Sequence, residues 1–195
     1  MSSAAPALAA EWRLPDRGRV AIACLIIAET AVFAIFVVAY LFYLGKSLSG
    51  PSPQDVLELP VLASILLWSS SITIHRAVRA LRAEQTRGFT RWWFATIALG
   101  ALFLASTARE WYGLIYDHGL TIGTNLFGTT FYSLVGLHAS HVIVGLVMLT
   151  TVFALALGGH VKAAHAARTE VLSLYWHFVD AVWLVVFLVV YVVGR

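Results

Sequence analysis

The sequence predicts an all-α fold, an integral membrane bundle of five transmembrane helices. Three observations carry that prediction. The 195 residues are 60% hydrophobic and 12% charged, with a mean hydropathy of +0.83, whereas a soluble domain carries about a quarter charged residues. Five apolar runs are each long enough to cross ~30 Å of hydrocarbon, which takes roughly 20 helical residues. No window alternates apolar and polar residues over the length of a barrel strand, which argues against a β-barrel.

Residues 1–18 read as a cytoplasmic tail. They are rich in Ala and Ser and carry no positive charge before Arg13, so they lack the basic start of a cleaved signal peptide, and the first span is expected to be retained. Residues 19–195 read as a single five-helix domain, with spans at about 20–44, 59–81, 92–116, 127–157 and 171–193. Gly50, Pro51 and Pro53 mark a turn-rich connection after the first span, and Gly119, Gly123 and Asn125 mark another after the third. The fourth run is long enough to tilt, or to open with an interfacial turn near Phe131. Connections this short place consecutive spans side by side and antiparallel. The single cysteine, Cys24, excludes a disulfide framework.

Lys and Arg set the orientation, because cytoplasmic loops carry the excess. Arg13, Arg17, Arg19, Arg76, Arg79, Arg82, Arg87, Arg91, Lys162 and Arg168 fall on one side, and Lys46 and Arg195 on the other. The N-terminus is therefore expected in the cytoplasm and Arg195 opposite it. Trp12, Trp92 and Trp93 then mark the inner interface, and Trp111, Tyr112 and Tyr116 the outer one.

Ionisable groups interrupt the apolar runs: Glu29, the adjacent Arg109 and Glu110, His138 with His141, and His177 with Asp180. At hydrocarbon depth such a group costs at least about 2.5–3.5 kcal/mol and is tolerated against a partner, a cavity or another subunit. His138 and His141 lie three residues apart and share a helical face, as do Trp176, Asp180 and Trp183 at spacings of four and three. At 1.5 Å per residue, Glu29, His141 and Asp180 fall at similar depth, where carboxylates and imidazoles satisfy one another. Three readings stay open. His138, His141, His177 and a carboxylate supply enough ligands for zinc or iron, though no E-x-x-H pair or H-E-x-x-H accompanies them. The same groups would serve a proton path, for which Glu110 is the one acid toward the outer face. Or they fix helix packing, lipid or a neighbouring subunit. Gly136 and Ser140, four apart, predict close helix approach, and Arg109–Glu110 reads as an interfacial ion pair. His160 and His165, with Lys162 and Arg168, fall in a solvated inner loop. No phosphate-binding loop, dinucleotide fingerprint, serine-hydrolase elbow or nucleic-acid patch is present.

Several motifs resemble, in order, subunit III of the haem–copper respiratory oxidases. They are Ala28-Glu-Thr30, Ser70-Ser-Ile-Thr73, Glu110-Trp-Tyr112, Gly136-Leu-His-Ala-Ser-His-Val142, and Tyr175-Trp-His-Phe-Val-Asp-Ala-Val-Trp183 followed by Tyr191. The fourth is similar to the family's G-x-H-G-x-H-V, with Ala139 in place of the second Gly. Ala28-Glu-Thr30 is similar to the family's membrane carboxylate helix, which maps to Glu29. The resemblance covers Arg19 to Arg195, and the five spans match the short bacterial forms rather than the seven-span ones.

The resemblance implies a non-catalytic subunit of a bacterial terminal oxidase that reduces O2 to water and pumps protons. It implies docking on catalytic subunit I, which would hold the haem and copper, along with bound phospholipid and support of proton uptake. With five spans, the second wall of the family's lipid cleft is expected from lipid or from another subunit. This chain would hold no cofactor or metal and would lie in the bacterial cytoplasmic membrane. Glu29, Glu110, His138, His141, Trp176, His177, Asp180 and Trp183 would be structural, lipid or subunit contacts. The alternatives are an accessory subunit of a nitric oxide reductase system and a free-standing membrane transporter or metal protein. The electron donor, cytochrome c or quinol, would bind other subunits.

Overall fold

The computed structural model describes residues 16–195. Most of the tail, including Trp12 and Arg13, lies outside the described residues.

Five long helices follow one another with short links. They are α1 (Arg17–Tyr43), α3 (Val61–Arg82), α4 (Thr86–Tyr116), α5 (Leu126–Leu157) and α6 (Ala166–Phe187), with a single turn α2 (Pro53–Val56) inside the first link. A 3-10 turn, Ala163–His165, leads into α6, and a π-helical turn, Leu188–Val193, continues it. All five are long and apolar enough to cross a membrane, and no strand occurs among the described residues.

The helices outrun the apolar runs that predict them. α4 starts at Thr86 and α6 at Ala166, taking in Arg87, Arg91 and Arg168, because the hydropathy signal stops at the membrane surface while backbone hydrogen bonding does not. α5 is continuous over 32 residues, about 48 Å at 1.5 Å per residue. An interfacial turn near Phe131 is therefore absent. The ends have local causes. Asp16 caps α1 by accepting from the Gly18 amide at 3.3 Å, and Asn125 caps α5 by accepting from the Gly128 amide at 2.8 Å. Gly45, at φ +73°, reverses the chain after α1 in a conformation that suits a residue without Cβ.

α3, α4, α5 and α6 form a closed ring in that order, with α3 and α4 packed most extensively. α1 stands outside the ring against α5 and α6. Its buried residues are Ile22, Phe33 and Tyr40, Ile26, Phe36 and Val37 pack partly against the core, and apolar residues such as Ile27, Ile35 and Val38 face outward.

Two tryptophans of α6 fill the axis of the ring. Trp176 donates through its indole N–H to Ser70 Oγ of α3 at 2.8 Å. Its ring also lies so close to Gly100 of α4 and Gly145 of α5 that a Cβ on either would fall 2.8 Å from a ring carbon. Seven residues on, Trp183 donates to Ser64 Oγ of α3 at 3.0 Å. It packs edge-on to Phe103 of α4 at 4.8 Å and stacks on His138 of α5 at 5.0 Å. Each tryptophan thus touches all three other helices of the ring, which is why α6 carries them two turns apart.

The small-residue contact is at Gly100 and Gly145, not at the expected Gly136 and Ser140. Gly136 has only ordinary contact with Trp111, and Ser140 is exposed and bonds its own helix at Leu137. Trp93 is another correction. Trp92 is exposed beneath the Arg76 guanidinium at 4.8 Å, as an interface residue would be. Trp93 is fully buried and donates to the Leu149 carbonyl at 2.8 Å. Consecutive helical residues point about 100° apart, so one of the two faces inward.

Candidate functional site

Four polar residues mark the middle of their helices. Glu29 lies 12 residues after the start of α1 and 14 before its end, Ser71 10 and 11 in α3, and His141 15 and 16 in α5. Asp180 lies 14 residues after Ala166 and 13 before Val193, the end of the π turn. Each thus sits near the middle of its own helix, and the four divide into two clusters.

In the first cluster, His141 Nε2 lies 3.1 Å from Glu29 Oε2, joining α5 to α1. The other ring nitrogen, Nδ1, lies 2.8 Å from the Leu137 carbonyl. A carbonyl only accepts, so Nδ1 carries a proton. The contact to Glu29 then holds one proton between a carboxylate and an imidazolium, or between a carboxylic acid and a neutral imidazole. In both cases the pair is neutral overall, which suits its position. Tyr175 of α6 closes the cluster by donating to the His141 backbone carbonyl at 3.1 Å.

The second cluster joins α3 to α6. Ser71 Oγ donates to Asp180 Oδ2 and lies 2.9 Å from His177 Nδ1. Asp180 is buried at 5% exposure, while His177 is half-buried. Both side chains and Trp68 line a groove of about 450 Å³ between α3 and α6 that opens on the outer surface of the bundle.

His138 and His141 part company despite their spacing. His138 is buried against Trp183 and Phe103, and neither of its ring nitrogens has a hydrogen-bond partner among the described residues. The proposed four-ligand set thus goes to separate partners: His138 to the aromatic core, His141 to Glu29, and His177 with Asp180 to Ser71. Among the described residues no three His, Cys, Asp or Glu side chains converge as a metal site would require.

Glu110 is not half of an ion pair with Arg109. Its Oε1 accepts from Tyr191 at 2.9 Å, and no Arg109 ion pair occurs among the described residues. Adjacent helical residues cannot face each other, and Tyr191 is delivered to Glu110 by the π turn ending α6. Both Arg109 and Glu110 line an outer pocket of about 440 Å³ with Glu58, Asp117 and His118.

Other polar ties were not foreseen. Glu170 of α6 binds Arg19 of α1 at 3.2 Å and also Arg82 of α3, a three-helix clamp at the basic end. Ser64, Ser70 and Ser71 of α3 meet Trp183, Trp176 and the His177–Asp180 pair of α6. The signal available was the Ser69-Ser-Ser71 run inside an apolar span, where each hydroxyl invites a partner.

Comparison with known proteins places this arrangement. The sequence profile of the family described as cytochrome c oxidase subunit III matches residues 19–195. The chain belongs to that family. The cytochrome c oxidase subunit 3 of Synechocystis sp. is 37% identical over 181 residues, covering 91% of this chain and 76% of the relative. That of Alkalihalophilus pseudofirmus is 33% identical over 168 residues, covering 85% and 82%. That of Thermostichus vulcanus is 31% identical over 184 residues, covering 93% and 90%. Membership of the subunit III family makes the chain a terminal-oxidase subunit and a multi-pass membrane protein, and the resemblance read from its motifs is correct.

Proposed function

We propose that the chain is the non-catalytic subunit III of a bacterial proton-pumping cytochrome oxidase, docking on and stabilising the haem- and copper-bearing subunit I. The family match over residues 19–195 carries this reading. The site supports it, because its ionisable groups are engaged in holding helices together: α1 to α5 through Glu29 and His141, and α3 to α6 through Ser71, Asp180 and His177. Residues 19–195 act as one domain. Glu29, Glu110, His138, His141, Trp176, His177, Asp180 and Trp183 are structural, lipid or subunit contacts. Phospholipid binds the outward apolar faces, its anionic headgroups near the basic end. The subunit supports proton uptake by holding subunit I in its active arrangement. It lies in the cytoplasmic membrane with its N-terminus inside and Arg195 in the periplasm. The name cytochrome c oxidase carried by the relatives favours cytochrome c as donor to the complex.

The experiment is purification of the complex through an affinity tag on this chain. Copurification of a haem-bearing subunit with O2-reducing activity is expected. Recovery of this chain alone, or with a complex that reduces nitric oxide and not O2, overturns the reading.

A further inference from the structure

We infer that the groove between α3 and α6 receives a transmembrane helix of another oxidase subunit, which presents an N–H or O–H donor to the Ser71–His177–Asp180 cluster at mid-depth. The inference rests on the docking reading above and names its face.

Ser71 Oγ bridges the other two members of the cluster. With Asp180 as a carboxylate, the single hydroxyl proton of Ser71 goes to Asp180 Oδ2. Ser71 Oγ then accepts from His177, so the proton of the neutral imidazole sits on Nδ1. Nε2 of His177 is left as a bare acceptor, and no hydrogen bond to it occurs among the described residues. Asp180 Oδ1 has no partner among them either, but it is fully buried, so Nε2 of half-buried His177 is the acceptor that a group entering the groove can reach. The cluster therefore carries more acceptors than donors, in a groove of about 450 Å³ that opens outward.

Lipid does not fill that deficit. Acyl chains carry no donor, and headgroups stay at the ends of the helices, about 20 Å from the middle of a span of this length. A polar group at such depth is retained where protein covers it. The bundle already contains the same device in finished form. On the other side of α6, α1 stands against α5 and α6 and brings Glu29 to His141 at the same depth. The groove between α3 and α6 has the imidazole, the depth and the adjoining apolar walls of Trp68, Ala181 and Leu184. Among the described residues, no helix covers it.

The test uses the intact complex. A benzophenone amino acid is placed at Leu184, in the groove, and in a separate preparation at Val147, on the outward face of α4 and α5. A photo-crosslink from position 184 to a transmembrane peptide of another subunit, absent from position 147, is expected. Copurification of the subunit with a crosslink from 184 to lipid alone, or to a second copy of this chain, overturns the groove assignment and leaves docking intact. Failure to copurify overturns both. A second variant, Ala181→Phe, fills the groove while leaving Ser71, His177 and Asp180 themselves unchanged. Loss of the subunit from the complex, with an unchanged melting temperature of the detergent-solubilised subunit, is expected. Stoichiometric retention overturns the inference.

Discussion

Glu29 and His141 meet at 3.1 Å, 112 residues apart in sequence and each within two residues of the middle of its helix. α1 has few buried side chains, so this contact and Phe33, packed on the His141 ring at 5.0 Å, do much to set its rotation against α5.

Glu29→Gln is expected to be mild, because the amide N–H donates to His141 Nε2. Glu29→Ala leaves that nitrogen without its partner, a loss of about 1–3 kcal/mol. Thermal melts of the solubilised subunit should rank wild type, Gln and Ala in that order. Equal melting of Gln and Ala would mean that the hydrogen bond contributes nothing.

Trp176 provides a packing test. Gly145→Ala places a methyl carbon 2.8 Å from the indole ring, where overpacking costs typically 1–3 kcal/mol. Gly136→Ala, whose Cβ would meet Trp111 at an ordinary 3.5 Å, should be close to neutral. Melting of the two variants side by side checks this. The reverse order would show that close helix approach lies where the Gly136–Ser140 spacing places it.

Asp180→Ala removes the acceptor of Ser71 and should release the subunit from the complex while the haem content of the remaining enzyme is preserved. Asp180→Asn keeps the shape and an acceptor oxygen and should be retained better. Subunit stoichiometry after purification gives the readout. A mutant subunit held stoichiometrically in an oxidase that no longer pumps protons would favour a proton path through Asp180.

The orientation is checked by labelling. His118→Cys in a Cys24→Ser background places a thiol in the exposed link between α4 and α5. It should react with a membrane-impermeant reagent from the periplasmic side. Reaction solely from the cytoplasmic side would invert the topology.

The sequence by itself determined the class, the number of spans and the position of each polar group along its helix. Length and hydropathy act along one dimension, and a helix converts residue number directly into depth. It also determined the family, through motifs in Tyr175–Trp183 and Gly136–Val142 that local reading keeps in order. Which polar group meets which was decided by the tertiary structure. His138 and His141 share a helical face in sequence, yet one stacks on Trp183 and the other bonds Glu29, because α5 borders both the ring's axis and α1. Glu110 exchanged its neighbour Arg109 for Tyr191, 81 residues away, because a π turn ends α6. Serines of α3 became the acceptors for two tryptophans because α6 happens to lie beside α3. Helical periodicity states which residues share a face, but the neighbour that face meets depends on the order of the helices around the bundle. That order is set by the fit of side chains such as Trp176 against Gly100 and Gly145, which only the folded chain displays.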